Sequence, residues 1–79
     1  MFLKKKDLIV YTLKVDGMRC GMCETHVNDI VRRNFNVKKV KSSVSKGETI
    51  IYSEKEIDIE KIASLLKDSG YIVSSFQKD

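Results

Sequence analysis

The stretch Gly17-Met18-Arg19-Cys20-Gly21-Met22-Cys23 joins two runs of different periodicity and carries both cysteines of the chain. Before it, Leu8 to Val15 is rich in β-branched residues and places Ile9, Tyr11, Leu13 and Val15 on one face, the pattern of a half-buried strand. After it, from Glu24 to Asn34, Val27, Ile30, Val31 and Asn34/Phe35 recur at i, i+3, i+4 and i+7/8, the stripe of an amphipathic helix. A strand must therefore turn into a helix within a short glycine-flanked loop. The two thiols sit at that corner.

The remaining elements follow from the same two periods. Val37 to Ser45 reads as a second strand with Val40 and Val44 in phase, Lys46-Gly47-Glu48 as a hairpin turn, and Thr49 to Ser53 as a third strand. Asp58 is placed to N-cap a second helix. Its apolar stripe is Ile59, Ile62, Ala63 and Leu66, widened by Leu65. Gly70 suits the C′ position of that helix, and Tyr71 to Phe76 reads as a fourth strand. The order β-α-β-β-α-β predicts an α+β, ferredoxin-like sandwich: a four-stranded antiparallel sheet with two helices on one face. Residues 8–79 are expected to form a single domain, and residues 1–7 a flexible basic N-terminus. At 79 residues the core is small, so the patterning has little slack.

Composition narrows the function. Met1 to Lys6 has the charges of a signal peptide, but Leu8 to Leu13 is too short and polar for its apolar region. No run approaches a transmembrane length. A cytoplasmic location with reduced thiols is expected, and there a Cys pair is metal-binding or redox-active more often than a structural disulfide. Residues 1–41 carry ten Lys/Arg against four Asp/Glu, or +6, and residues 42–79 carry five against seven, or −2. A basic half can be steered to an acidic partner. Nucleic acid is not expected as a partner, since no helix is lined with Lys/Arg and no interleaved aromatics mark an RNA-binding sheet. The lysines at 4–6 and the group Arg32, Arg33, Lys38, Lys39 and Lys41 read first as solvated surface, the latter also as a docking face for an acidic partner.

The chemistry lies in the cysteines. Cys23 should fall in the first turn of helix 1, where unpaired N–H groups and the helix dipole favour an anion. Arg19 adds positive charge beside Cys20. Both effects lower a thiol pKa and make thiolates available near neutral pH. Two exposed thiolates suit a soft metal ion, and a near-linear two-coordinate site suits Cu(I). Zn(II) in a structural site needs four ligands. One chain offers two Cys and one His, although two chains could supply four thiolates. Cd(II) and Hg(II) remain open on softness alone. A thioredoxin-like redox role is the other reading of C-x-x-C, but such proteins normally face the pair with a cis-proline and this chain has no proline.

The loop Gly17-Met18-x-Cys20-x-x-Cys23, with Val27, Ile30 and Val31, then Val37, Val40, Val44, Gly47 and Ile51, then Gly70-Tyr71, resembles the heavy-metal-associated (HMA) domain family over nearly all of the chain after Asp7. The likeness is to the bacterial copper chaperones in particular. It implies metal transport in the cytoplasm without catalysis: Cu(I) held by Cys20 and Cys23 and passed by thiolate exchange to a metal-transporting P-type ATPase. The protein would be a monomer when metal-free, open to metal-bridged homodimers. The alternatives are a zinc, cadmium or mercury handler, or a sensing or accessory module of such an ATPase. In the family an Asp before the first cysteine goes with zinc, and Arg19 stands there instead. Around the site, Met18 is a core contact under the loop or a thioether ligand, and Met22 a partner contact or a ligand. His26 is a half-exposed helix residue or a third ligand. Tyr71 packs the end of helix 2 or shields a thiolate. Ser42 and Ser53 replace apolar residues common in the family, which predicts a weaker or shifted central hairpin.

Overall fold

The computed structural model describes residues 8–79, so the basic N-terminus expected at 1–7 lies outside the described residues. The elements are β1 (Ile9–Asp16), α1 (Gly21–Asn34), β2 (Lys39–Ser43), β3 (Glu48–Ser53), α2 (Ile59–Asp68) and β4 (Ile72–Lys78). One antiparallel sheet has the order β2-β3-β1-β4, the ferredoxin-like arrangement.

Burial follows the strand period. Tyr11, Leu13 and Val15 of β1, Thr49, Ile51 and Ser53 of β3, and Val40 of β2 are buried on one face. Against them lie Val27 and Val31 of α1 and Ile59, Ile62 and Leu66 of α2. A one-residue slip would turn the whole set to solvent, so this alternation also holds the register. Tyr11 is buried with its polar end satisfied, because its hydroxyl accepts from the Ile57 amide at 3.2 Å.

The central hairpin differs from the sequence expectation. β2 and β3 pair without a shift from Lys39↔Tyr52 to Ser43↔Glu48, so the serines neither displace nor interrupt it. Each has its hydrogen bonds satisfied. Ser42 Oγ donates to Asn28 Oδ1 at 2.7 Å and lies 2.8 Å from Thr49 Oγ1, its cross-strand neighbour. Ser53 Oγ donates to the Lys55 carbonyl at 2.6 Å and accepts from the Lys55 amide at 3.2 Å. Buried hydroxyls cost little when bonded. β2 is shorter than Val37 to Ser45 because Val44 to Gly47 form the turn, closed by Gly47 N–H to the Val44 carbonyl at 3.2 Å.

α2 begins as its cap residue predicts. Asp58 Oδ1 accepts from the Lys61 amide at 3.2 Å. Replacing Asp58 by alanine should cost about 1 kcal/mol and lower Tm by roughly 5 °C, read from thermal melts. At its other end the Gly70 amide bonds the Lys67 carbonyl at 3.0 Å and the Tyr71 amide bonds the Leu66 carbonyl at 2.9 Å. Gly70 has φ +94°. This is a Schellman motif with Gly at C′ and Tyr71 at C″, and it delivers Tyr71 to the cysteine corner.

Candidate metal centre

α1 starts earlier than its hydrophobic stripe implies. Cys20 is the N-cap residue in extended conformation, and Gly21 to Cys23 complete the first turn. The Cys20 carbonyl accepts from the Cys23 amide at 3.0 Å and from the Glu24 amide at 3.3 Å. The Cys20 side chain makes no capping bond, so its thiol is free for other partners. Both cysteines are unpaired; Cys20 is exposed and Cys23 half-buried against the core.

Three contacts hold this corner. Glu24 Oε2 accepts from the Val44 amide at 2.8 Å, pinning the first turn of α1 to the β2–β3 turn. The Val15 amide, near the end of β1, bonds the Gly47 carbonyl in the β2–β3 turn at 2.8 Å. Gly17, at φ +107°, passes against the Gly70 carbonyl and Tyr71. Met18 is partly buried and packed on the core, as a support of the loop would be. Met22 is 81% exposed between the two thiols.

The electrostatics favour a thiolate at Cys23. Backbone hydrogen bonding from Arg19 lowers its pKa most, followed by the Tyr71 hydroxyl and the Cys20 backbone, against a smaller upward effect of burial. Arg19 thus acts through its main chain, where the sequence pointed to its charge. Tyr71 titrates above its ordinary value, first because it is buried, then because of its hydrogen bond to Cys23 and the charges of both cysteines. Tyr71 is 7% exposed and belongs to the core, where it lies near enough to Cys23 for each to shift the other's titration.

His26 lies one turn beyond Cys23 and is exposed. Its Nδ1 is 3.0 Å from the Tyr71 hydroxyl, with the rings edge to face at 77° and centroids 5.5 Å apart. Among the described residues no group of three or more His, Cys, Asp or Glu is placed to hold a metal ion. The basic group is not at this corner. Arg32 and Arg33 occupy the last turn of α1, roughly 15 Å along the axis from Cys23, and Lys38 pairs with Glu54 at 3.4 Å. Arg32 and Arg33 complement the C-terminus of α1 and do not border the thiols.

Such a corner can present a thiolate pair to a soft cation while leaving one side open to an approaching protein. Residues 12–71 match the heavy-metal-associated domain family. No curated protein is matched significantly. Among solved structures, the N-terminal domain of ZntA in its apo form is 25% identical, with TM-score 0.72, 92% of this chain and 94% of that one covered. The CopZ metallochaperone is 24% identical, with TM-score 0.69 and coverage of 81% and 97%. The yeast copper transporter domain Ccc2a is 22% identical, with TM-score 0.73 and coverage of 90% and 94%. The last two likenesses speak to the fold.

Proposed function

Because the chain belongs to the heavy-metal-associated domain family, we propose that Cys20 and Cys23 carry one Cu(I) ion and pass it to the thiols of a metal-transporting P-type ATPase. The observation that carries this reading is the pair of unpaired cysteines at the start of α1, one exposed and the other lowered in pKa by backbone and hydroxyl hydrogen bonds. Soft thiolates select Cu(I) over harder cations. Two ligands leave the ion open to a third. In the transfer, a thiolate of the partner adds to the metal, and the bonds to Cys20 and Cys23 then break in turn. No covalent bond of a substrate changes, so the protein is a carrier in this reading. The exposed Met22 gives the approaching domain an apolar contact beside the ion. The cytosol, where thiols stay reduced, is the compartment this chemistry requires. Among the described residues no helix is long and apolar enough to cross a membrane.

Zn(II) is the second reading, favoured by the likeness to the ZntA domain, which has been solved in a Zn(II) form. Two thiolates leave zinc short of its usual four ligands. Titration of the reduced protein with each metal against a chromophoric chelator separates the two. One Cu(I) per chain, bound far more tightly than Zn(II), is expected. Tight Zn(II) with weak Cu(I) would overturn copper carriage.

A further inference from the structure

We infer that Glu24 is a positioning residue for the metal loop: by accepting from the Val44 amide it holds the first turn of α1, and with it both thiols, against the β2–β3 turn. The effect on Cu(I) release rests on the copper reading above. The effect on the metal-free loop does not.

The hydrogen bonds at this corner form a circuit. The Val15 amide bonds the Gly47 carbonyl at 2.8 Å just before the chain enters the loop. The Gly47 amide bonds the Val44 carbonyl at 3.2 Å across the turn. The Val44 amide bonds Glu24 Oε2 at 2.8 Å. The Glu24 amide bonds the Cys20 carbonyl at 3.3 Å. The chain leaves this circuit at Val15 and rejoins it at Cys20, so a single turn fixes both ends of residues 16–19. Glu24 is the one member that closes it through a side chain, and so the one that a substitution removes.

The need for such a restraint comes from the cysteines. The first N–H groups of a helix have no intrahelical acceptor, and a cap side chain normally holds that turn. Cys20 stands at the N-cap and makes no side-chain bond; in the copper reading its sulfur is committed to the ion. Cys23 lies three residues on, so fraying of that one turn changes the distance between the thiols. Glu24 restrains the turn from its other side without using a sulfur. Glu24 and Val44 are both half-buried, which makes their bond stronger than one in open water. A second tie lies one turn further along the same face of α1. Asn28 Oδ1 accepts from Ser42 Oγ at 2.7 Å, and that hydroxyl lies 2.8 Å from Oγ1 of the fully buried Thr49. Two ties one turn apart oppose both sliding and rolling of α1 on the hairpin. The role asked of Glu24 is acceptance by an oxygen at this reach, not charge.

Three substitutions test this. Glu24→Ala removes the acceptor, and Glu24→Gln keeps an amide oxygen at the same reach. Asp58→Ala removes a cap bond at the start of α2, about 15 Å along that helix from the end that meets Tyr71. The first readout is amide hydrogen exchange in the metal-free protein. Glu24→Ala should speed exchange at positions 23 and 24 roughly tenfold relative to the amides of α2, and Glu24→Gln should leave it at the wild-type rate. The second readout is Cu(I) release to a chromophoric chelator. Release should be roughly two- to tenfold faster in Glu24→Ala, and unchanged in Glu24→Gln and in Asp58→Ala, although the last melts lower. Wild-type exchange at positions 23 and 24 in Glu24→Ala, or equal effects of Ala and Gln, would overturn the positioning role. So would an equal acceleration of release in Asp58→Ala, which would mark lost stability as the cause. Should the wild type take up no Cu(I), the copper reading falls and amide exchange alone decides the role of Glu24.

Discussion

Serine at position 20 or 23 is expected to weaken Cu(I) binding by on the order of a hundredfold or more while the fold persists. A four-ligand thiolate and imidazole site binds zinc with about 10–16 kcal/mol, or roughly 2.5–4 kcal/mol per ligand, and 1.4 kcal/mol is tenfold in affinity. A serine hydroxyl is a hard donor that stays protonated near neutral pH and does not replace the soft sulfur. With a two-ligand set, either substitution removes half of it. The two variants should differ in stability. Cys20 is an exposed N-cap with no side-chain bond, and serine is a favoured cap residue. Cys20→Ser should therefore melt at or above the wild-type temperature. Cys23 packs partly against the core, so Cys23→Ser should melt somewhat lower. Chelator competition and thermal melts on the same samples separate lost ligation from lost folding. A single serine variant that held copper as tightly as the wild type would remove the two-thiolate site.

Much of this arrangement was legible in the chain because it is local. Asp58 and Gly70 announce the two ends of α2 by cap chemistry alone, and both do what those residue types predict. The Ile9, Tyr11, Leu13, Val15 set identifies the buried face of β1 by period. The start of α1 was less legible. Gly21 and Met22 stand outside the apolar stripe, and cysteine is not among the usual N-cap residues, yet Cys20 is the N-cap without a side-chain bond. β4 runs to Lys78, beyond Phe76, because its last residues pair with Tyr11 and Thr12 of β1. That reach is a property of the partner strand.

Long-range pairings were not legible. The Glu24 bond to the Val44 amide joins a helix turn to a hairpin turn; in sequence, Glu24 shows only as an acidic residue in the first turn of a helix. The serines of the central hairpin look like defects until Asn28, Thr49 and Lys55 are seen to satisfy them. His26 invites reading as a ligand because it stands one turn from Cys23. Its contact with Tyr71 comes from the opposite end of the chain, through the motif that ends α2.

The loop's dependence on one glycine gives the largest expected effect on stability. At Gly17 the backbone is at φ +107°, outside the range side chains adopt with ease, and a Cβ built there would lie 2.7 Å from the Gly70 carbonyl oxygen and 3.5 Å from Tyr71 Cα and Cδ1. The near atom is main chain, so it cannot swing aside as the tip of a long side chain would. Strain at such a position costs about 1–3 kcal/mol, and moving the turn after α2 adds to it. Gly17→Ala is expected to lose about 2–4 kcal/mol, lowering Tm by roughly 10–25 °C. Copper should also leave faster, because the displaced turn carries Tyr71 away from Cys23. Gly21→Ala is the control: nothing lies within 4 Å of a Cβ there and the residue is already helical. That change should be neutral, or stabilising by up to about 1 kcal/mol. If Gly17→Ala melted with the wild type, the close approach of the two loops would not be what holds the thiol corner, and Tyr71 would have to be positioned by the Schellman motif alone.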